Sequence, residues 1–322
     1  MRHRVVDTEF LSVLPLMTKI FKFVTRAGRV LLGRQMAGRG VTVFPDDVFL
    51  VSYPRSGNTW TRFLLGNLIY QDDPVTFANI ESRIPEIYFN PDHRLRRLPR
   101  PRVLKSHESF QPHYRRIIYI VRDPRDVAVS FYHHNLKAGN IPDGYPMDEF
   151  IPRFINAGFD TKFGSWSDNV LSWLSLRGNS DSFLLLRYEE MKQDPAKELG
   201  KVAAFLERCG FSPIDSSPEK LARAVELSSP ERMRKLESLQ ARQWELTKHT
   251  RQDKPFVRTA TAGKWKSVLS QQSVTLIEAA WGSLMQRLGY ELSSGTLHPG
   301  TRGEFAEETV ADRSGVPSRA TL

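Results

Sequence analysis

A run of hydrogen-bond donors follows an apolar segment near residue 50 and could bind an anion. Residues 48–51 are all apolar, and they are followed closely by Arg55, Ser56, Gly57, Asn58 and Thr59. Gly57 allows the backbone to approach a ligand closely, and the Arg55 guanidinium can pair with two phosphate oxygens at once. Backbone N–H groups at the start of a helix also favour a negative charge. These residues predict a phosphate-binding turn, although an ordinary helix cap would use the same residue types.

Two later apolar runs also end in polar residues. Lys105 and His107 follow residues 103–104, and Arg122 follows residues 117–121. Ser130 lies two turns into the helix predicted after Arg122, so both side chains could face one anion. In an open α/β sheet the active crevice lies beyond the carboxyl ends of the strands, and an unperturbed histidine has a pKa suited to accepting a proton. An isolated histidine is more often structural, and Arg122 could also belong to a salt-bridged turn.

The elements predicted to position these groups alternate between strands and helices. Apolar runs predict strands around residues 48–52, 103–108, 116–121 and 182–191. Apolar residues at helical spacing predict helices over residues 59–70, 126–134, 163–174, 195–210 and 274–288. The segment 71–101 is rich in Pro, Asp and Arg. It is predicted to be a long surface segment without strands or helices of the sheet, with its arginine cluster on a solvated face.

Composition narrows the class of protein only partly. The chain has 322 residues, with 46 Lys and Arg against 36 Asp and Glu, which gives a net charge of +10. That charge suits an anionic ligand, a membrane surface or nucleic acid, and charge alone does not choose among them. The single cysteine, Cys209, excludes an intrachain disulfide and a cysteine-based metal site. A reducing, cytoplasmic location is therefore the expectation.

The two ends of the chain differ from its middle. Residues 1–44 contain eight basic residues against two acidic ones, and apolar residues at helical spacing there predict an amphipathic helix. Such a helix could pack on the domain or make peripheral contact with an anionic membrane surface. Pro15 and Lys19 interrupt any apolar run long enough to span a membrane. Residues 293–322 have few large apolar side chains and are predicted to be disordered.

The motifs together resemble those of sulfotransferases that use 3′-phosphoadenosine 5′-phosphosulfate (PAPS). Tyr-Pro-Arg-Ser-Gly-Asn-Thr-Trp at residues 53–60 is similar to their 5′-phosphosulfate-binding loop, Tyr-Pro-Lys/Arg-Ser-Gly-Thr/Asn-Thr-Trp. Lys-Ser-His at residues 105–107 resembles their Lys-Thr-His signature. Val-Arg-Asp-Pro-Arg-Asp-Val-Ala-Val-Ser at residues 121–130 resembles their 3′-phosphate-binding stretch. Residues 186–195 and 258–266 resemble two further family segments, and the motifs follow the family order.

The resemblance implies a fold, a reaction and a set of site residues. The implied fold is α/β, a parallel β-sheet flanked by helices in a single P-loop-kinase-like domain over residues 45–292. The implied activity is transfer of the sulfuryl group of PAPS to a hydroxyl or amine of a small-molecule acceptor, without a metal. His107 would be the general base, and Lys105 and Arg55 would stabilise developing charge. The implied PAPS-binding residues are Arg55, Ser56, Gly57, Asn58, Thr59, Trp60, Arg122, Ser130, Tyr188, Ser228, Arg258, Thr259 and Ala260.

Several positions depart from the family pattern. Arg55 replaces the commoner lysine, and Pro230 stands where a stacking phenylalanine is frequent, which leaves Trp60 to stack on adenine. Thr259 and Ala260 replace Lys and Gly in the loop that covers the 3′-phosphate. An alternative is a P-loop kinase, which would require a lysine after the glycine-rich loop and a Mg²⁺-binding aspartate. The sequence shows neither.

The remaining predictions concern partners. The acceptor is expected to be a small alcohol, phenol or amine, in a pocket lined by loops near Tyr88, Phe89, His133, His134, Tyr145 and Phe163. No nucleic-acid partner is expected, because the arginine cluster lacks interleaved aromatic residues. A non-enzymatic anion or nucleic-acid binder is a further alternative, and it would not need His107.

Overall fold

The computed structural model describes residues 35–159, 161–258 and 260–293. The predictions for residues 1–34, for Thr259 and for the tail from residue 294 onward lie outside the described residues. Four strands form one parallel sheet in the order β2-β1-β3-β4. They are β1 (Val48–Ser52), β2 (Val103–Ser106), β3 (Arg116–Val121) and β4 (Phe183–Arg187). The four predicted strands and the parallel sheet are confirmed, although β2 and β4 end earlier than the sequence predicts.

Helices cover both faces of this sheet. They are α1 (Asn58–Ile69), α2 (Ile80–Arg83), α3 (Asp92–Leu95), α4 (Pro124–Ala138), α5 (Met147–Ile155), α6 (Trp166–Arg177), α7 (Tyr188–Gln193), α8 (Pro195–Arg208), α9 (Pro218–Leu227), α10 (Pro230–Gln240) and α11 (Gln271–Arg287). Single 3₁₀ turns lie at Gly38–Gly40 and Lys264–Ser267. None of the helices in the described part of the chain combines the length and apolar character that a membrane span requires.

The sheet is buried on both faces because successive side chains along a strand point in opposite directions. Phe49 and Ile117 belong to one apolar cluster with residues of α4, α5, α6 and α11. Leu50 and Ile118 belong to another cluster with residues of α1, α8 and α9. This two-sided burial explains why the strands appear in the sequence as continuous apolar runs. It also holds the carboxyl ends of β1, β2 and β3 side by side.

Helix α4 begins earlier than the sequence predicts. Pro124 occupies its first position, where a missing backbone N–H costs nothing, and the Asp123 carboxylate accepts the backbone N–H of Arg125 at 2.9 Å. The prediction of a strand over residues 182–191 is wrong in its second half. The strand ends at Arg187, and the short helix α7 begins at Tyr188.

The prediction for segment 71–101 is wrong. The segment contains α2 and α3, and Ile80, Ile84 and Leu95 are fully buried. The arginine cluster that begins in this segment is not entirely a solvated face; it consists of Arg94, Arg96, Arg97, Arg100 and Arg102. Arg102 is 4% exposed and pairs with the buried carboxylate of Asp47, with Nε and Oδ1 2.7 Å apart. Apolar residues spaced between prolines and charges pack this segment against the edge of β2.

Candidate active site

A cavity of about 370 Å³ lies at the carboxyl ends of β1, β2 and β3. Its wall brings together residues far apart in the sequence, among them Arg55, His107, Arg122, Tyr188 and Arg258. This is the crevice in which open α/β sheets bind ligands. Most of the predicted site residues meet here, so the local geometry of each decides what the cavity can bind.

The turn between β1 and α1 has the geometry of an anion-binding loop. Gly57 has φ of 101° and lies immediately before the helix, whose first N–H groups receive no side-chain cap. An added Cβ at Gly57 would lie 2.5 Å from Cδ2 of Tyr188, so this position requires glycine. Arg55 also adopts a positive φ, 69°, which is uncommon for a residue with a side chain. The Ser56 hydroxyl is buried without a hydrogen-bond partner among the described residues.

The other loop residues divide into two groups. Asn58, Thr59 and Trp60 all line the cavity, but the Asn58 side-chain amide turns back toward β1 and donates to the Ser52 hydroxyl at 3.2 Å. The Trp60 indole N–H donates to the backbone carbonyl of Ser228 at 3.0 Å. Ser228 itself is fully buried and is not among the residues that line the cavity.

Three arginines concentrate positive charge at one end of the cavity. Arg55 Nε donates to the Ser130 hydroxyl at 3.2 Å, and Arg122 donates to the Arg55 carbonyl at 3.3 Å. Burial, together with Arg122 and Arg258, lowers the pKa of Arg55 to about 10. Among the described residues, no carboxylate lies within 4.0 Å of Arg55 or Arg258. Arg55 and Arg258 are therefore available to a bound anion, whereas Arg122 Nη2 lies 3.9 Å from Oδ2 of Asp126.

The loop after Arg258 is fixed to α4 by one carboxylate. Asp126 accepts the backbone N–H of Gly263 at 2.6 Å and that of Trp265 at 3.0 Å. Ala260 on this loop has φ of 51°, a conformation that favours glycine, and it stands where the family pattern has Gly. Sequence reasoning missed Asp126, because nothing in the motif around it indicates a partner more than 130 residues away.

His107 is oriented by a backbone carbonyl. Its Nδ1 lies 2.7 Å from the carbonyl oxygen of Ser52. A carbonyl can only accept, so Nδ1 carries the proton and Nε2 keeps its lone pair. Burial lowers the pKa of His107 well below 6.5, and the nearby charge of Lys105 lowers it further. The imidazole is therefore neutral at pH 7 and can accept a proton at Nε2.

Lys105 is buried at the cavity wall with a carboxylate partner. Its Nζ lies 2.5 Å from Oε1 of Glu86, and both residues are 4% exposed. Burial lowers the pKa of Lys105 to about 8, while Glu86 opposes that shift. Sequence reasoning missed Glu86, which belongs to the segment predicted to be a surface stretch. The apolar residues Ile84 and Ile87 on either side of it were the signal that this part is buried.

The rest of the cavity is largely aromatic. Tyr88, Phe89, His134 and Phe163 line it as the sequence predicts, whereas His133 and Tyr145 are not among the lining residues. Phe256 and Val257 also line the cavity, and Glu237 accepts both of their backbone N–H groups at 2.5 and 2.8 Å. Within the described residues, no group of three or more His, Cys, Asp or Glu side chains could hold a metal ion.

Comparison with known proteins agrees with this geometry. A family model described as the sulfotransferase domain matches residues 45–289, which is more than half of the chain. The chain belongs to the sulfotransferase family. Mouse sulfotransferase 1B1 is 29% identical over 258 residues, covering 75% of this chain and 83% of the relative. Rat sulfotransferase 1A1 is 30% identical over 263 residues, covering 76% and 86%.

Solved structures of the family have the same fold. Mouse sulfotransferase SULT7A1 complexed with PAP is 26% identical, with a TM-score of 0.61, and the match covers 78% of this chain and 88% of that one. Retinol dehydratase in a complex with retinol and PAP is 20% identical, with a TM-score of 0.64 over 80% and 86% of the two chains. The predicted family and fold are confirmed.

Proposed function

We propose that this sulfotransferase transfers the sulfuryl group of PAPS to a hydroxyl or amine of a small-molecule acceptor. The observation that carries the proposal is a neutral histidine with a fixed tautomer, His107, in the same cavity as a glycine turn and three arginines. A relative of the same fold was solved with PAP, the product that remains when PAPS (the sulfuryl donor) has lost its sulfuryl group. We also propose that residues 45–292 form the catalytic domain.

The residues of one end of the cavity suit the nucleotide part of PAPS. We call this the nucleotide end, consisting of Ser56, Gly57, Arg122, Arg258 and the loop 260–265. The uncapped start of α1 and the unpartnered Ser56 hydroxyl would receive the 5′-phosphate. Arg122 and Arg258 would hold the 3′-phosphate, because arginine forms two parallel hydrogen bonds with phosphate oxygens. Trp60 and Tyr188, which meet edge to face at 5.8 Å, would lie against the adenine side.

The other end of the cavity suits an acceptor. We call this the acceptor end, consisting of Glu86, Tyr88, Lys105, His107 and Phe163. Its aromatic rings provide apolar contacts for a small alcohol, phenol or amine, and its polar groups lie beside His107. Cys209 is the only cysteine and is a free, buried thiol, which supports a reducing, cytoplasmic location for the reaction.

PAPS supplies an activated sulfuryl group whose S–O bond to the phosphate breaks as a new bond to the acceptor oxygen or nitrogen forms. His107 Nε2 takes the proton from the acceptor hydroxyl or amine. Lys105 and Arg55 stabilise the negative charge that develops on the leaving phosphate and the transferred group. The helix start after Gly57 receives no side-chain cap, so its N–H groups can donate to the 5′-phosphate as its charge increases.

Isothermal titration with PAP, 3′-phosphoadenosine 5′-phosphate, tests this function directly. We expect binding that is tighter than that of ADP or of ATP with Mg²⁺, and that weakens about 10- to 100-fold in Arg122→Ala through loss of charge-assisted hydrogen bonds. Arg97→Ala, at an exposed position outside the cavity, is the matched control and should bind as the wild type does. Binding of ATP with Mg²⁺ in preference to PAP would contradict the proposal and favour a kinase.

A further inference from the structure

The ion pair between Glu86 and Lys105 is a feature of the site that the sequence motifs do not include. Both side chains are almost completely buried, their charged atoms are 2.5 Å apart, and both residues line the cavity. A buried pair of this kind costs desolvation energy and is weak support for stability by itself. Its position beside His107 suggests a role in the reaction.

We propose that Glu86 is a positioning residue for sulfuryl transfer, which holds Lys105 charged and directed into the cavity. This inference rests on the proposed function, in which Lys105 contacts the transferred sulfuryl group. Glu86 does not itself touch the reacting atoms in this account. It acts through the lysine, in the way that an outer carboxylate fixes a ligand residue in other sites.

The backbone of the two residues fixes this pair. The segment around Glu86 runs parallel to β2 as an isolated bridge with Lys105. The Lys105 N–H donates to the Pro85 carbonyl at 2.8 Å, and the Ile87 N–H donates to the Lys105 carbonyl at 3.2 Å. The Glu86 N–H donates to the carboxylate of Glu81 at 2.8 Å. Main-chain hydrogen bonds therefore place the two side chains next to each other before any ligand binds.

The charges around Lys105 show why a carboxylate is needed. The titratable and charged groups that face it are Glu86, Glu81, Arg62, His107, His134 on α4 and the ring of Tyr88, whose centroid lies 5.8 Å from Nζ. Glu86 Oε2 also lies 3.8 Å from Arg62 Nη1, and Glu81 is paired with the same arginine at 2.7 Å. Without Glu86, burial and Arg62 would together lower the pKa of Lys105 below its value of about 8. The ammonium would then be lost near neutral pH.

Comparing PAPS with PAP isolates this effect, because PAP lacks the sulfuryl group. We expect the affinity of the wild type for PAPS, relative to PAP, to fall as the pH rises through about 8. In Glu86→Gln the midpoint of that fall should move to a pH about one unit lower. At a given pH above the midpoint, the fraction of Lys105 that is charged would then be about tenfold smaller. Glu86→Asp should restore part of the wild-type curve, since it keeps the carboxylate.

A matched control comes from a Glu–Lys pair outside the site. Glu198 is 4% exposed and lies 2.6 Å from Lys201 Nζ on α8, away from the cavity. Glu198→Gln should leave the PAPS-to-PAP affinity ratio and its pH dependence unchanged. If the PAPS-to-PAP affinity ratio depends on pH in the same way in Glu86→Gln and in the wild type, the inference is overturned, but the proposed function is not. A wild type that binds neither nucleotide would overturn both.

A double-mutant cycle separates positioning from a general structural effect. Once Lys105→Met has removed the cation, adding Glu86→Gln should cause no further change in the PAPS-to-PAP ratio. If Glu86→Gln lowers the PAPS-to-PAP affinity ratio equally in the wild type and in Lys105→Met, Glu86 acts independently of Lys105. That result would overturn the inference. Because Glu86→Gln alone leaves a buried charge unpaired and could fail to fold, Glu86→Asp and the double variant, which removes both charges, keep the test decisive.

Discussion

The nucleotide end and the acceptor end of the cavity are built from different kinds of sequence. The nucleotide end consists of contiguous motifs in which each residue acts close to its neighbours, as in the turn around Gly57. The acceptor end combines Lys105 on β2 and His107 directly after that strand with Glu86 and Tyr88 from the segment that runs beside it. The cations of the nucleotide end are Arg122, Arg258 and Lys264, whereas the acceptor end contains Lys105 and His107, whose pKa values are lowered by burial. The two ends should therefore respond differently to substitution and to pH.

The largest effect that separates the two ends is expected from His107→Ala. Loss of the general base should lower kcat about 10²- to 10⁴-fold, while the affinity for PAP should stay within twofold of the wild type. Steady-state turnover of PAPS and titration with PAP measure the two quantities. His113→Ala, at an exposed histidine outside the cavity, is the control. A tenfold loss of PAP affinity in His107→Ala would mean that the two ends are not separate.

Gly57→Ala should damage the nucleotide end instead. The new Cβ would meet the Tyr188 ring at 2.5 Å, and the backbone has φ of 101°, so we expect PAP affinity to fall about tenfold or more. Gly139 also has a positive φ, 75°, with nothing within 4 Å of an added Cβ. Gly139→Ala therefore reproduces the backbone strain without the clash. Equal PAP affinities in the two variants would contradict the requirement for close approach at Gly57.

The pH dependence of kcat/KM should come from the acceptor end. The folded-state pKa of His107 is lowered, so the imidazole is neutral above pH 6.5. The acid limb of the pH profile, where His107 becomes protonated, should therefore lie below pH 6.5. Lys105, whose pKa is about 8, should produce the alkaline limb. Activity should fall about tenfold per pH unit outside these limbs, while PAP affinity stays nearly flat across them. An acid limb above pH 6.5 would contradict the role of His107.

The smallest effect is expected at Ala260. Its positive φ destabilises the folded state by about 1–2 kcal/mol, and Ala260→Gly would remove that strain. Part of the gain is offset because glycine has greater conformational freedom in the unfolded chain. We expect a gain of about 0.5–1 kcal/mol in the free energy of unfolding and PAP binding tightened by less than threefold. Ala157 has φ of 54° outside the cavity. Ala157→Gly should raise the free energy of unfolding by a similar amount and leave the affinity for PAP unchanged. Thermal unfolding and PAP titration measure the two quantities.

The sequence predicted the fold and the family well for a physical reason. The strands are buried on both faces and appear as unbroken apolar runs, and the nucleotide-end motifs need particular residue types at fixed spacing. The bounds of elements were less accurate where two structures meet, as at Tyr188, where a strand passes directly into a helix. Periodicity alone does not separate such neighbours.

The parts of the site that the sequence did not predict depend on contacts between distant segments. Glu86 lies in a stretch whose charges and prolines are typical of a surface, yet Ile84 and Ile87 bury it against β2. Asp126 holds the backbone of Gly263 and Trp265 through N–H groups that carry no side-chain signature. Ser228 stands at a family position in sequence, but it lies directly after α9, and its hydroxyl donates to the carbonyl of Ala224 in that helix at 2.7 Å.

The most direct test of the account is transfer from radiolabelled PAPS to a panel of small phenols, alcohols and amines by the full chain. The account predicts that label appears on at least one acceptor, that PAP forms in equal amount, and that His107→Ala abolishes transfer while still binding PAP. Formation of PAP and free sulfate at the same rate with and without every acceptor, or full transfer by His107→Ala, would contradict it.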